Sequence, residues 1–174
     1  LADLFADKYP AIKTQLSVSK PCPCSQWTSN TLGVLMVSVG KRVENFTLPA
    51  TGNQDLSLSD FSGRSLIIYF YPKDNTPGCT REGQDFRDLY TQFTKAGADI
   101  LGVSRDSVKV HENFRNKHQF PFHLLSDSDE LLCKQFDVIH EKKLYGRTYM
   151  GIERSTFLIN PQGVLIQEWR KLRV

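Results

Sequence analysis

At 174 residues, with 40% hydrophobic and 24% charged side chains, the chain is long enough for one domain with a real core. A formal net charge of +3 gives no reason to expect a nucleic-acid partner, and no apolar run reaches membrane-spanning length. Four cysteines without framework spacing argue against a secreted disulfide scaffold and point to a reducing compartment, the cytoplasm.

Residues 1–38 read as an N-terminal extension, disordered or loosely attached, ahead of a domain spanning 39–174. The sequence begins with Leu1, and between Lys8 and Leu35 there is no acidic residue while serine and threonine are frequent. That composition is faintly like an organellar transit peptide, but the arginines expected of one are missing. Met36 offers an alternative start. Cys22-Pro23-Cys24 lacks both C-x-x-C spacing and nearby histidines, so no metal site is assigned to it.

Ordered patterning begins at Val43. Phe46-Thr47-Leu48 and Leu56-Ser57-Leu58 alternate around Thr51-Gly52-Asn53, which predicts a hairpin. Leu66 to Tyr71 is a run of aliphatic and aromatic residues entered through Gly63, the pattern of a buried central strand. A helix follows, with Phe86, Leu89, Tyr90 and Phe93 on one face. Thr76 suits its N-cap, Pro77 its first position and Ala96-Gly97 its end. Asp99 to Ser104 is a second buried strand, so strand, helix and strand form a right-handed parallel βαβ unit. Ser107 is expected to cap a helix that buries Val110 and Phe114 and ends before Pro121. Phe122 to Leu125 is strand-like, and Ser128-Asp129 is expected to cap a short helix carrying Leu132, Cys133 and Phe136. Arg154 to Ile159 and Val164 to Trp169 flank Asn160-Pro161-Gln162-Gly163, a hairpin signal.

The chemistry of this arrangement centres on Cys79. If Thr76 is the N-cap, Cys79 stands at the third helical position. There the first-turn N–H groups lack intrahelical partners and the helix dipole favours negative charge. A thiolate is stabilised at such a place relative to a thiol, and the Thr76 hydroxyl is expected to face the same pocket. The alternative is a structural cysteine buried on an amphipathic helix. Cys133 reads as core filler rather than a redox group. The four histidines show no ligand spacing, and His111 and His118 read as surface residues. Lys142-Lys143 and Arg170-Lys171-x-Arg173 read as ordinary solvated surface. From the residues alone, Arg154 would be a solvated arginine at a strand end.

Pro72-x-x-x-Thr76-x-x-Cys79 resembles the active-site signature of the peroxiredoxins. The longer run Tyr69-Phe-Tyr-Pro-Lys-Asp-Asn-Thr-Pro-Gly-Cys-Thr-Arg-Glu82 resembles their Q-type branch, the bacterioferritin comigratory proteins. The likeness runs from about Val39 to the C-terminus. Gly102-Val103-Ser104-Arg105-Asp106, Leu124-Leu125-Ser126-Asp127 and Gly151 through Ile159 are further blocks of it, in order. The resemblance implies that Cys79 attacks the peroxide O–O bond and becomes a sulfenic acid. It implies that Thr76 hydrogen-bonds thiolate and peroxide, that Pro72 shields the sulfur from water, and that Arg154 stabilises thiolate and developing oxygen charge. Glu82 receives a supporting polar role. These assignments suit a thiolate nucleophile served by fixed donors.

The fold the resemblance implies is an α/β thioredoxin-like sandwich with an N-terminal β-hairpin. That fold normally closes with a helix after the last strand. The sequence stops at Lys171-Leu172-Arg173-Val174 without one, so the expectation is a sandwich lacking its closing C-terminal helix.

The expected activity is thiol-dependent reduction of hydrogen peroxide and organic hydroperoxides, an antioxidant function needing no cofactor or metal. Q-type relatives keep a resolving cysteine at the position of Gln84 or at that of Arg115, and neither is a cysteine here. An external thiol of thioredoxin or glutathione type is therefore expected to recycle Cys79. A second chain, Cys133 or the N-terminal pair remain as alternatives. No nucleic-acid or membrane partner is expected, and the protein should be a monomer or weak dimer. A thioredoxin-like disulfide oxidoreductase would want a second cysteine at position 82, which is Glu82. In a competing class, a redox sensor or holdase, Cys79 oxidation would change partner binding instead of removing peroxide.

Overall fold

The computed structural model describes residues 36–144 and 146–174. All but the last three residues of the proposed N-terminal extension, including Cys22 and Cys24, therefore lie outside the described residues. Among the described residues there are nine strands and three α-helices. The strands are β1 (Thr47–Ala50), β2 (Gln54–Ser57), β3 (Ser65–Phe70), β4 (Ala98–Ser104), β5 (His123–Ser126), β6 (Ile139–Leu144), β7 (Arg147–Ile152), β8 (Ser155–Ile159) and β9 (Leu165–Trp169). The helices are α1 (Pro77–Lys95), α2 (Val108–His118) and α3 (Leu131–Gln135).

Seven strands form one mixed sheet in the order β2-β1-β5-β4-β3-β8-β9. β3, β4 and β5 run parallel, joined by α1 and α2, whereas β8 runs antiparallel to β3 and continues into the β8–β9 hairpin. The buried central strand reads as continuous apolar sequence because both faces are covered. Its alternate residues serve two different cores. Leu66, Ile68 and Phe70 join Leu101, Val103, Leu132, Cys133, Phe136 and Phe157 on one face. Ile67, Tyr69 and Tyr71 join Cys79, Phe86, Phe114, Phe120, Phe122 and Leu158 on the other. This two-faced sheet, with its N-terminal hairpin, is the expected thioredoxin-like sandwich.

The ends of α1 follow the sequence closely. Thr76 is the N-cap residue in extended conformation with Pro77 at the first helical position. The chain leaves through Gly97 at φ +77°, a left-handed conformation that glycine adopts without a Cβ clash.

Two local expectations are corrected, and one element is new. On α2 it is His111 that is fully buried beside Phe114, while Val110 is exposed. The inward stripe of that helix takes in His111 in place of Val110, and the fully buried imidazole finds polar partners inside. The cap of α3 comes from Asp127, not Ser128 or Asp129: its two carboxylate oxygens accept from the N–H groups of Leu132 (3.3 Å) and Cys133 (2.7 Å). The antiparallel β6–β7 hairpin was not anticipated. Its β7 strand is exposed from Arg147 to Met150, so no alternation of apolar residues marks it.

Candidate active site

Cys79 sits in the first turn of α1, and only 2% of it is exposed. Arg154, in the short link between β7 and β8, reaches across to it: Nη2 donates to Cys79 Sγ at 3.2 Å. The same guanidinium donates through Nη1 to Glu82 Oε2. Glu82 lies one turn after Cys79 on α1, with its side chain 2% exposed against 13% for Arg154. Burial works against the arginine's charge, but Glu82 and Cys79 outweigh it and hold the guanidinium pKa above its ordinary value. A cation fixed against the sulfur, itself oriented by a buried carboxylate, is therefore built into the fold. Arg154 is not the solvated strand-end arginine its flanking residues suggest.

The approach is close. A Cβ on Gly78 would lie 3.3 Å from Arg154 Nη2, so a larger residue at that position would press on the guanidinium. The charged edge of the site rests on an aromatic floor. Tyr69 stacks on Phe86 with ring centroids 4.6 Å apart and on Tyr71 at 5.4 Å, and meets Phe122 edge-on. Burial, reinforced by the charges of Glu82, Asp74 and Cys79, raises the Tyr69 phenol pKa, so this hydroxyl stays neutral.

Of the remaining expected residues, Pro72 is half-buried two residues after the end of β3. The Thr76 hydroxyl donates to Lys73 O at 3.1 Å and makes no capping hydrogen bond in α1. Its proton is thus directed back into the Pro72–Thr76 turn, where the sequence suggested a shared pocket with the sulfur. Gln84 is half-buried on the outer side of α1, lining a shallow groove of about 580 Å³ with Asn75, Thr80, Arg81 and His118. Arg115 donates through Nε to Phe122 O at 3.0 Å. Cys133 belongs to the core on the opposite face of the sheet. Lys142, expected in solvent, is half-buried and donates through Nζ to Ile152 O at 2.6 Å. Arg170 likewise lies over the Phe157 ring at 5.0 Å.

A polar cluster beneath the turn was not anticipated. The Tyr71 hydroxyl donates to Asp74 Oδ1 at 2.7 Å, and His111 Nδ1 lies 2.8 Å from Asp74 Oδ2. His111 Nε2 lies 3.1 Å from Leu125 O. The available sequence signal was the helical spacing of His111 with Phe114 and His118, which puts a histidine on the inward stripe.

The sequence model of the AhpC/TSA family matches residues 39–168. The chain belongs to the AhpC/TSA family. It is 57% identical over 131 residues to the peroxiredoxin Bcp of Xanthomonas campestris, covering 74% of this chain and 82% of that protein. Over 140 residues it is 48% identical to a putative peroxiredoxin Bcp of Coxiella burnetii, covering 80% and 93%. Among solved structures, the Xanthomonas campestris bacterioferritin comigratory protein, studied for alkyl peroxide reduction, superposes with a TM-score of 0.71 at 56% identity, covering 74% of this chain and 82% of that one. A Xylella fastidiosa PrxQ mutant superposes at 0.76 and 47% identity, covering 79% and 88%. The protein is accordingly a peroxiredoxin of the Q-type branch, a thiol-dependent peroxidase whose substrate is a peroxide and whose electrons come from a thiol. Among the described residues no helix is long and apolar enough to cross a membrane.

Proposed function

We propose that Cys79 is the attacking sulfur and that it is recycled by a thiol from solution. The thiolate attacks one oxygen of hydrogen peroxide or an organic hydroperoxide. The S–O bond forms as the O–O bond breaks, the leaving oxygen takes a proton and departs as water or alcohol, and the sulfur is left as sulfenic acid. The contact of Arg154 with Cys79, braced by Glu82, is the observation that carries this reading. Positive charge fixed beside the sulfur stabilises the negative charge that spreads from sulfur to leaving oxygen. Pro72 keeps water from the sulfur, and Thr76 orients the peroxide once its hydroxyl turns from Lys73.

An external thiol then attacks the sulfenic sulfur, releasing water and forming a mixed disulfide, which a second thiol reduces. The absence of cysteine at Gln84 and Arg115 and the burial of Cys133 across the sheet support that route. Donors of thioredoxin or glutathione type supply the chemistry required, and the cytoplasm is where such thiols are reduced. Residues 39–174 act as the catalytic unit, with residues 1–38 as an extension. The test is turnover: with a continuous thiol supply the wild type should consume many equivalents of peroxide, and Cys79→Ser none. A single equivalent consumed before arrest would instead mark a sensor.

A further inference from the structure

The Pro72–Thr76 turn is held from below by a buried hydrogen-bonded pair, Asp74 and His111, outside the Cys79–Arg154–Glu82 cluster. Asp74 is 4% exposed and His111 not at all. A carboxylate in that position is costly unless its oxygens are satisfied, and both are: Oδ1 accepts from the Tyr71 hydroxyl and Oδ2 faces His111 Nδ1. The second imidazole nitrogen faces the Leu125 carbonyl. Both ring nitrogens thus meet hydrogen-bonding oxygens, with the Tyr71 hydroxyl 3.4 Å from Nδ1 as well, so the imidazole is pinned at both ends of the ring.

Other groups facing the pair act on the same turn. Asp106 Oδ2 accepts from the Asp74 N–H at 2.8 Å and from the Ser104 hydroxyl at 2.9 Å, while the Tyr71 N–H donates to Val103 O. Asp74 therefore ties the end of β3 to the end of β4, to α2 and, through His111, to β5. Next along the chain, Asn75 has φ +58°, a left-handed conformation uncommon outside glycine that persists where flanking contacts fix it. Thr76 follows at once, and Cys79 one turn later.

We infer that the Asp74–His111 pair is the clamp that sets this turn, and that His111 is a positioning residue for the peroxide step. It touches neither sulfur nor peroxide. It acts through Asp74, which fixes where the Pro72 ring and the Thr76 hydroxyl stand when peroxide arrives. This rests on Cys79 being the sulfur that attacks peroxide.

The experiment compares two reactions of Cys79 in His111→Gln, Asp74→Asn and the double variant, under conditions where circular dichroism shows each folded. Peroxide reduction needs the turn in place, whereas alkylation by iodoacetamide needs only a reachable thiolate. Each single variant should lose about ten- to hundredfold in the second-order rate with peroxide, with alkylation changed by no more than about threefold. The double variant should lose no more than the worse single, because the two residues act as one unit. Parallel losses in both reactions, or a peroxide rate within about twofold of wild type in folded His111→Gln, would overturn the clamp. Should those variants fail to fold, Tyr71→Phe, which removes only the hydroxyl on Asp74 Oδ1, is read in the same way: a peroxide rate that falls at least about fivefold more than alkylation is expected, and equal changes would overturn the clamp. Peroxide consumption surviving in Cys79→Ser would instead refute the reading of Cys79, whatever the His111 variants do.

Discussion

The two described cysteines lie on opposite faces of one sheet, both almost fully buried, and their surroundings are of opposite kinds. Cys79 enters at a helix N-terminus, with a guanidinium against its sulfur and a carboxylate behind that. Cys133 sits among Leu132, Phe136 and Phe157, on a short helix whose first N–H groups are already taken by Asp127. Burial, with the Asp127 charge added, pushes its thiol pKa far above the ordinary range. Two almost fully buried cysteines thus face fixed charges of opposite sign, a guanidinium at Cys79 and a carboxylate at Cys133. The sheet also separates the pair. A disulfide needs the two Cα atoms within about 7 Å, which residues packed on opposite faces cannot meet without opening the core.

The largest effect that separates the two faces is loss of the sulfur itself. Cys79→Ser should abolish peroxide consumption, followed by the loss of peroxide from solution, whereas Cys133→Ala should keep it within about twofold. Any comparable loss in both variants would erase the contrast. Next comes Arg154→Ala, expected to cost about a hundred- to thousandfold in the rate constant with peroxide, as for removal of a single oxyanion donor. Its fold should be checked by melting, because Glu82 then keeps a buried carboxylate without the guanidinium. Arg154→Lys should recover only part of the rate, since an ammonium cannot serve Cys79 and Glu82 with the same planar fork.

A third test uses time instead of mutation. Without added thiol, excess peroxide should drive Cys79 past sulfenic acid to sulfinic and sulfonic acid, seen as successive oxygen increments on its peptide. Gln84→Cys should suppress those increments by supplying a local trap, provided the first turns of α1 can open. Opening is required in any case, because a cysteine 2% exposed admits a peroxide far more readily than a bulky thiol. The smallest effect is on stability. Cys133→Ala removes one sulfur from a packed core and should cost about 1 kcal/mol, lowering the melting temperature by roughly 2–4 °C.

The legible parts of the molecule were those written in local pattern. The continuous apolar run of β3, the Thr76-Pro77 start of α1 and the Asn160–Gly163 turn each fix their element through backbone preference or burial on both faces. The parts that failed depend on partners distant in sequence. His111 looked like surface because a histidine on a charged helix usually is; Asp74, thirty-seven residues earlier, is what makes its burial tolerable. Asp127 was passed over as a cap because it reaches its N–H groups from ahead of a left-handed Glu130. The β6–β7 ribbon buries too little of itself to leave an apolar period. The place of Cys79 in the first turn of α1 is legible in local pattern, whereas the contact of Arg154 with it is not. Nothing near Arg154 in the sequence says that the end of one hairpin and the start of another strand meet a helix N-terminus.

On the proposed route Cys79 alone takes the oxidising equivalent and waits for a thiol from outside. The most direct measurement is a peptide mass map of the reduced full chain after one equivalent of peroxide, with a sulfenic-acid trap such as dimedone present. The expected result is a trap adduct on the Cys79 peptide and free thiol at Cys133. A disulfide joining Cys79 to Cys133, or to Cys22 or Cys24, with no adduct at Cys79, would contradict it.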